Sequence, residues 1–131
     1  MTRPRTAGWT PVLDPAALTW TFASAGHCQP VHRGADGTVS VVATRAQRPI
    51  GLPSHYTADT FSLGHGDIIV MYTDGLIERR GEPLTVGIDR LCAVLEDAPE
   101  SGHAIVDYLS RGLIDADSND DDVAILMVRV S

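Results

Sequence analysis

The sequence contains no lysine, few cysteines and no long apolar run, and each of these absences excludes a class of protein. All ten basic residues are arginine, and 17 acidic residues bring the formal net charge to −7, which argues against binding nucleic-acid phosphates as the main task. The longest strongly apolar stretch, Ile68–Tyr72, is far shorter than the roughly 18 residues that a membrane-spanning helix needs. No apolar segment follows the basic N-terminal residues Arg3 and Arg5, as a secretory signal would require. Composition therefore predicts a cytoplasmic protein that binds neither nucleic acid nor membrane.

The two cysteines, Cys28 and Cys92, are too few and too far apart for a disulfide framework or a thiolate zinc site. Neither begins the Cys-x5-Arg loop of the thiol phosphatases, because Gly34 and Ala98 stand where the arginine would be. We expect both cysteines to be small buried hydrophobic residues.

The length of 131 residues suits one globular domain, and we expect a loose arm over residues 1–11 and the domain over residues 12–131. Alternating or continuous apolar patterns predict strands at residues 18–22, 30–33, 38–42, 56–63, 68–72 and 123–128. Apolar residues at helical spacing predict two helices, one marked by Ile88, Leu91, Cys92 and Leu95 and the other by Ile105, Tyr108 and Leu109. Strands, a helix pair and a closing strand together indicate an antiparallel α+β fold.

Acidic residues flank two of the predicted strands. Asp74 follows the apolar strand 68–72 in Tyr72-Thr73-Asp74-Gly75, where Gly75 permits unusual backbone angles, and Asp121-Asp122 precede the last strand. If these two strands are antiparallel neighbours, the end of one meets the start of the other and the carboxylates converge. Converging carboxylates repel each other unless a hard divalent cation neutralises them, and Mg²⁺ or Mn²⁺ prefers such oxygen ligands.

Of two other interpretations of these acidic residues, a plain turn or solvated loop stays open and a calcium-binding loop is excluded. Asp-Gly after a strand is typical of a plain turn, and an acidic cluster before a strand is typical of a solvated loop. An EF-hand calcium loop is excluded, although Asp115, Asp117 and Asn119 match its first three ligand positions. Its sixth position would need glycine where Asp120 stands, and its twelfth would need glutamate where Leu126 stands.

His27 stands between a predicted strand and the turn at Pro30, so it either contacts a phosphate or hydrogen-bonds to neighbouring backbone. The other four histidines show no metal-ligand spacing and suggest no function.

The ordered set of motifs resembles the PPM-type bacterial protein phosphatases, in the SpoIIE-like branch of sporulation phosphatases and stress-response regulators. The matching elements are the strand followed by Ala25-Gly26-His27 and Pro30; Pro49-Ile50-Gly51-Leu52; Leu63-x-x-Gly66-Asp67, the apolar strand and Tyr72-Thr73-Asp74-Gly75-x-x-Glu78; and Asp121-Asp122 before the closing strand. Their order and spacing agree over about residues 12 to 130.

The resemblance implies an αββα sandwich that hydrolyses phosphoserine or phosphothreonine with two Mn²⁺ or Mg²⁺ ions. By position, Asp74 and Asp121 would be metal ligands with Asp122 beside them. Gly75 would contribute through its backbone, and Gly26 and His27 would support the turn. The expected substrate is a phosphorylated regulatory protein, such as an anti-sigma-factor antagonist.

The family's earlier half carries a Gly-Asp-x-x-Asp turn and a separate Gly-His-Gly element, and this sequence matches neither in place. Its one Gly-Asp, Gly66-Asp67, has Val70 three residues later. We therefore expect the C-terminal part of a phosphatase domain, with an incomplete sandwich, an incomplete metal site and little activity alone. A homodimer or a complementing N-terminal half would then complete it. The alternative is a non-catalytic degenerate domain that acts as a protein-interaction module.

Overall fold

The computed structural model describes residues 8–9, 12–25, 28–42, 58–100, 102–114 and 122–131. The chain divides into two compact units, one formed by Met1–Gln29 with Ala43–Gly64 and the other by Pro30–Val42 with His65–Ser131. Antiparallel sheets and two helices make up the described residues, which confirms the predicted α+β class. No helix among these residues is long and apolar enough to cross a membrane.

The first unit contains a three-stranded antiparallel sheet and a short two-stranded ladder. Strands β2 (Val12–Asp14), β3 (Thr19–Phe22) and β7 (Asp59–Ser62) lie in the order β2-β3-β7. Strand β1 (Gly8–Trp9) pairs with β4 (Ser24–Ala25), so these two residues of the predicted N-terminal arm lie in a strand.

The predicted alternation in the first unit is confirmed at β3. Trp20 and Phe22 are buried on one face of this strand and their rings stack with centroids 5.1 Å apart, while Thr19 and Thr21 are half-buried on the other. The turn into β3 is closed by the Asp14 carboxylate, whose Oδ1 accepts hydrogen bonds from the amides of residues 16 and 17. Such a side chain bonding to the following backbone is typical of aspartate in turns.

The second unit is built on a four-stranded antiparallel sheet in the order β6-β5-β8-β9. Its strands are β5 (Val31–Arg33), β6 (Val39–Val41), β8 (Ile68–Tyr72) and β9 (Ile125–Arg129). Every residue of β8 is buried, which confirms the prediction that a continuous apolar run forms a strand covered on both faces.

The strands predicted at residues 30–33 and 38–42 form an antiparallel hairpin, β5–β6. Gly34 donates its amide proton to the Thr38 carbonyl oxygen at 2.8 Å, and Gly37 takes the left-handed conformation (φ +89°) that the turn requires. The Asp36 carboxylate accepts a hydrogen bond from the Thr38 amide, and this bond, with one from the Thr38 hydroxyl, lowers the pKa of Asp36.

Two helices pack on one face of this sheet, α1 (Leu84–Asp97) against β5 and β6 and α2 (Gly102–Leu113) against β9. Both helices lie where the apolar spacing predicts them. The buried positions of α1 are Gly87, Leu91 and Leu95, and those of α2 are Ile105, Leu109 and Leu113.

The structure corrects three side-chain predictions in the helices and the cysteines. Tyr108 is 41% exposed, because it lies one position from Leu109 and so points away from the buried stripe of α2. Cys28 and Cys92 form no disulfide, as expected, but each is half-buried, not buried. Partial burial and the nearby Asp89 and Glu96 carboxylates raise the pKa of Cys92.

Candidate metal centre

The end of β8 and the start of β9 are held together by one residue, Thr73. The two strands pair with Tyr72 opposite Ile125, and the Thr73 amide continues the ladder by donating to the Ala124 carbonyl oxygen at 3.1 Å. The Thr73 hydroxyl donates to the Asp122 carbonyl oxygen at 3.1 Å and accepts from the Ala124 amide at 2.9 Å. The antiparallel meeting expected from the sequence is therefore present, and the segment that carries Asp122 is fixed to the residue before Asp74.

Asp74 begins a single turn of 3-10 helix, Asp74–Leu76, immediately after the buried strand. Its carbonyl oxygen accepts hydrogen bonds from the amides of Ile77 at 3.0 Å and Glu78 at 2.8 Å, which close the turn tightly. Leu76 and Ile77 are buried beneath this turn, whereas the Asp74 side chain is exposed. The buried residues thus anchor the backbone from which the exposed Asp74 side chain extends.

Gly75, the middle residue of this turn, is buried and has right-handed helical backbone angles, so it does not use the wider range of angles that glycine permits. A different glycine, Gly87 in α1, is the one whose missing side chain this region requires. A Cβ atom at Gly87 would overlap the carbonyl oxygen of Ile77 and crowd the Ile77 side chain. Gly87 therefore lets α1 pack directly on the backbone that follows Asp74.

Asp74 and Asp122 are both exposed and both adjoin the hydrogen bonds of Thr73. Two carboxylates on neighbouring chain segments are a donor set suited to Mg²⁺ or Mn²⁺, which prefer oxygen ligands. Within the part of the chain that the structure describes, no three His, Cys, Asp or Glu side chains lie close enough to hold a metal ion. Asp121, Gly26 and His27, the other predicted site residues, lie outside the described residues.

The opposite end of β8 has a carboxylate of a different kind, Asp67, for which sequence reasoning assigned no role. Asp67 is 9% exposed, and its Oδ2 lies 2.9 Å from Nε2 of His32 in β5. Its Oδ1 accepts from the Ala35 amide at 3.1 Å, and its carbonyl oxygen accepts from the Val130 amide at 2.9 Å. Asp67 thus ties together the β5–β6 turn, β8 and the end of β9.

Gly66, just before Asp67, takes the left-handed conformation (φ +90°), and a Cβ atom there would lie only 3.0 Å from the Ala35 side chain. The Gly66 amide donates to the Val130 carbonyl oxygen at 2.6 Å. The Gly66-Asp67 pair directly before a buried strand could have indicated an unusual turn. The contact with His32 could not have been predicted, because His32 lies 35 residues earlier in the chain.

Residues 6–131 match the model of the family described as Stage II sporulation protein E (SpoIIE). Among solved structures, the RsbU and RsbW domains of Rv1364c from Mycobacterium tuberculosis superpose with a TM-score of 0.77 and 28% identity, covering 95% of this chain and 36% of that chain.

Two other similar structures share the fold at lower identity. The phosphatase domain of the cell fate determinant SpoIIE from Bacillus subtilis, from a crystal presoaked with Mn, has a TM-score of 0.75 and 18% identity, covering 95% of this chain and 56% of that one. The SiaA-PP2C domain of Pseudomonas aeruginosa has a TM-score of 0.70 and 23% identity, covering 94% and 51%. The fold is therefore that of PP2C-type domains, and this chain spans about a third to just over half of the length of these relatives.

Proposed function

This chain belongs to the SpoIIE family, and on that premise we propose that it forms part of a metal-dependent protein serine/threonine phosphatase. The observation that carries the proposal is the pair of hydrogen bonds that the Thr73 hydroxyl forms with the Asp122 carbonyl oxygen and the Ala124 amide, which we call the joint at Thr73. These bonds hold the segments of Asp74 and Asp122 together at one end of the sheet. In our proposal Asp74, Asp121 and Asp122 bind Mn²⁺ or Mg²⁺.

Divalent ions at such a site lower the pKa of a coordinated water and offset negative charge on phosphoryl oxygens. The chain's own contribution is to hold its carboxylates in place before the ion arrives. Thr73 fixes the Asp122 backbone, and buried Leu76 and Ile77 fix the turn that begins at Asp74. This prior positioning reduces the cost of bringing like charges together. We further propose that the backbone of Gly75 supports the site, and that Gly26 and His27 support its turn.

The number of ligands sets a limit on what this chain does alone. A pair of metal ions needs carboxylates that bridge both, and the sequence has no Gly-Asp-x-x-Asp turn to supply them. We propose that the 131-residue chain has little or no turnover by itself and that a complementing N-terminal half or a second copy supplies the remaining ligands. The edge position of β9, with Leu126 55% exposed, is compatible with further packing there.

The proposed substrate is phosphoserine or phosphothreonine on a cytoplasmic regulatory protein, such as an anti-sigma-factor antagonist. Support comes from the similarity to a Mycobacterium tuberculosis protein in which an RsbU domain and an RsbW domain share one chain. The charge of −7 is consistent with a protein substrate and not with nucleic acid.

A calorimetric titration with Mn²⁺ tests the metal site separately from catalysis. We expect the wild-type chain to bind Mn²⁺ and the variants Asp74→Asn and Asp122→Asn to bind about tenfold or more weakly, since each loses a charged ligand. Asp107→Asn, at an exposed position of α2, is the control that removes the same charge elsewhere. Equal affinity in all four proteins, or no binding in any, would contradict the site and favour the interaction-module alternative.

A phosphatase assay on a phosphoserine peptide with Mn²⁺ then tests the incomplete-site part of the proposal. We expect turnover close to the uncatalysed background from the chain alone. Turnover that Asp74→Asn abolishes would show that the chain is catalytically sufficient, which would leave the metal site standing but overturn the need for a complementing half.

A further inference from the structure

Two arginines lie in one row across the sheet, at the end of β8 opposite Asp74. In the strand register Arg33 of β5 and Arg129 of β9 are both paired with Ile68 of β8, so they stand on either side of it. Because side chains at paired positions share a face, both guanidinium groups project from the helix-covered face of the sheet. Two strand spacings separate their backbones, about 10 Å.

Both guanidinium groups hold the connection between α1 and α2. Nη1 of Arg33 donates to the carbonyl oxygens of Ala98 at 3.0 Å and Leu95 at 3.3 Å, at the C-terminal end of α1. Nη1 of Arg129 donates to the Glu100 carbonyl oxygen at 2.7 Å. These bonds use one nitrogen of each guanidinium group, and the remaining nitrogens donate no hydrogen bond to any residue that the structure describes.

A pocket of about 110 Å³ opens between the two arginines. It is lined by Arg33, Gly34, Ala35, Gly66, Ile68, Glu100 and Arg129. Its volume is well below the roughly 300–1,000 Å³ of pockets that hold drug-sized ligands, which excludes a nucleotide or a comparable molecule. Only an ion or a small polar group fits.

The charge of the pocket indicates the sign of its ligand. Neither arginine forms an ion pair with any described residue, and Glu100, the one acidic lining residue, contacts Arg129 through its backbone carbonyl oxygen. Guanidinium forks match tetrahedral oxyanions because two parallel N–H groups meet two oxygens. We propose that this pocket binds a small oxyanion of the phosphate class between the free edges of Arg33 and Arg129.

Binding there would have a structural consequence. An oxyanion between the forks would keep both guanidinium groups oriented toward the carbonyl oxygens they hold, and so would stabilise the α1–α2 connection against the sheet. The site is independent of the metal centre, because it lies at the other end of β8 and uses no carboxylate ligand. It is therefore expected to bind phosphate without any metal ion.

The test is an NMR titration of the 131-residue chain with inorganic phosphate in EDTA, matched for ionic strength with chloride. We expect saturable shifts at the amides of Gly34, Ala35 and Gly66, and Asp74→Asn should leave them unchanged. Shifts that follow ionic strength alone, or that centre on Asp74, would overturn the proposal.

Substitution provides a second readout. Arg129→Gln keeps a polar side chain at an exposed position and should weaken phosphate binding about tenfold or more, since a charge-assisted fork is lost. Arg111→Gln, at an exposed position in the last turn of α2, is the matched control and should bind as the wild type does. Equal affinity of Arg129→Gln and Arg111→Gln for phosphate would also overturn the proposal.

Discussion

The two ends of β8 each carry an aspartate beside a glycine, and the structure uses them in opposite ways. Asp67, before the strand, is 9% exposed and its carboxylate and carbonyl oxygens bind His32, Ala35 and Val130. Asp74, after the strand, is exposed on a turn anchored by buried neighbours. Residue type alone does not distinguish these two carboxylates, whereas their burial does.

The largest expected difference between the two ends is in stability. Asp67→Ala should lower the free energy of unfolding by about 2–4 kcal/mol, because it leaves the Ala35 amide and the half-buried His32 side chain without their acceptor. Asp74→Ala should lower it by a smaller amount, about 1 kcal/mol or less, because Asp74 is exposed and substitutions at exposed positions cost less than those at buried ones. Urea unfolding of both variants measures the two values, and similar losses would contradict the contrast.

A smaller loss is expected where α1 meets the turn after Asp74. Gly87→Ala should destabilise by about 1–3 kcal/mol, because its Cβ atom meets the Ile77 backbone, which cannot move aside as a side chain would. Gly112→Ala in α2 is the matched control.

At Gly112 the nearest atom to an added Cβ is a side-chain methyl of Val94 at 3.1 Å. The helix preference for alanine over glycine, about 1 kcal/mol, should offset that crowding. Thermal unfolding should rank Gly87→Ala clearly below Gly112→Ala, and the reverse order would show that α1 does not rely on the close approach to Ile77.

Thr73→Val tests the joint between β8 and β9. Removing the hydroxyl while keeping the shape should cost about 0.5–1.5 kcal/mol, because the bonds to the Asp122 carbonyl and the Ala124 amide are lost. It should also weaken Mn²⁺ binding, since Asp122 would be held less firmly. Thr73→Ser retains the hydroxyl and should bind Mn²⁺ as the wild type does; a wild-type affinity in Thr73→Val would show that the joint does not position the ligands.

The smallest effect is expected in the β5–β6 turn at the Asp67 end. Bonds from the Thr38 amide and hydroxyl lower the folded-state pKa of Asp36 below its unfolded value. The resulting stabilisation is fully present above the unfolded pKa and is lost as pH falls through the folded pKa. An NMR titration should show a depressed pKa for Asp36 that rises in Thr38→Ala; an unchanged pKa in that variant would rule out the hydroxyl as a cause.

Local patterns predicted the elements of the sheet and helices well. The bounds of β8 were predicted as observed, because a short continuous apolar run before a turn leaves few alternatives. The meeting of Asp74 with the Asp122 segment was also predictable, since it needed only two neighbouring antiparallel strands.

The side-chain arrangement at the Asp67 end of β8 was not predicted, because it brings together residues that are distant in the sequence. The contact of His32 with Asp67, and the placement of Arg33 and Arg129 on either side of Ile68, follow only from the strand order β5-β8-β9, which periodicity does not reveal. The exposure of Tyr108 was not predicted for a simpler reason. An aromatic residue next to the buried apolar positions of α2 has the spacing of a residue that belongs to them.

The most direct measurement of the central claim is paramagnetic broadening of amide NMR signals by substoichiometric Mn²⁺. The account predicts that the signals of Thr73, Asp74, Asp122 and Ala124 broaden first, while those of Ala35 and Gly66 at the other end of β8 remain sharp. Asp74→Asn should abolish this selective broadening, and Asp107→Asn should not. Broadening that begins at the Asp67 end, or that persists unchanged in Asp74→Asn, would contradict the assignment of the metal site.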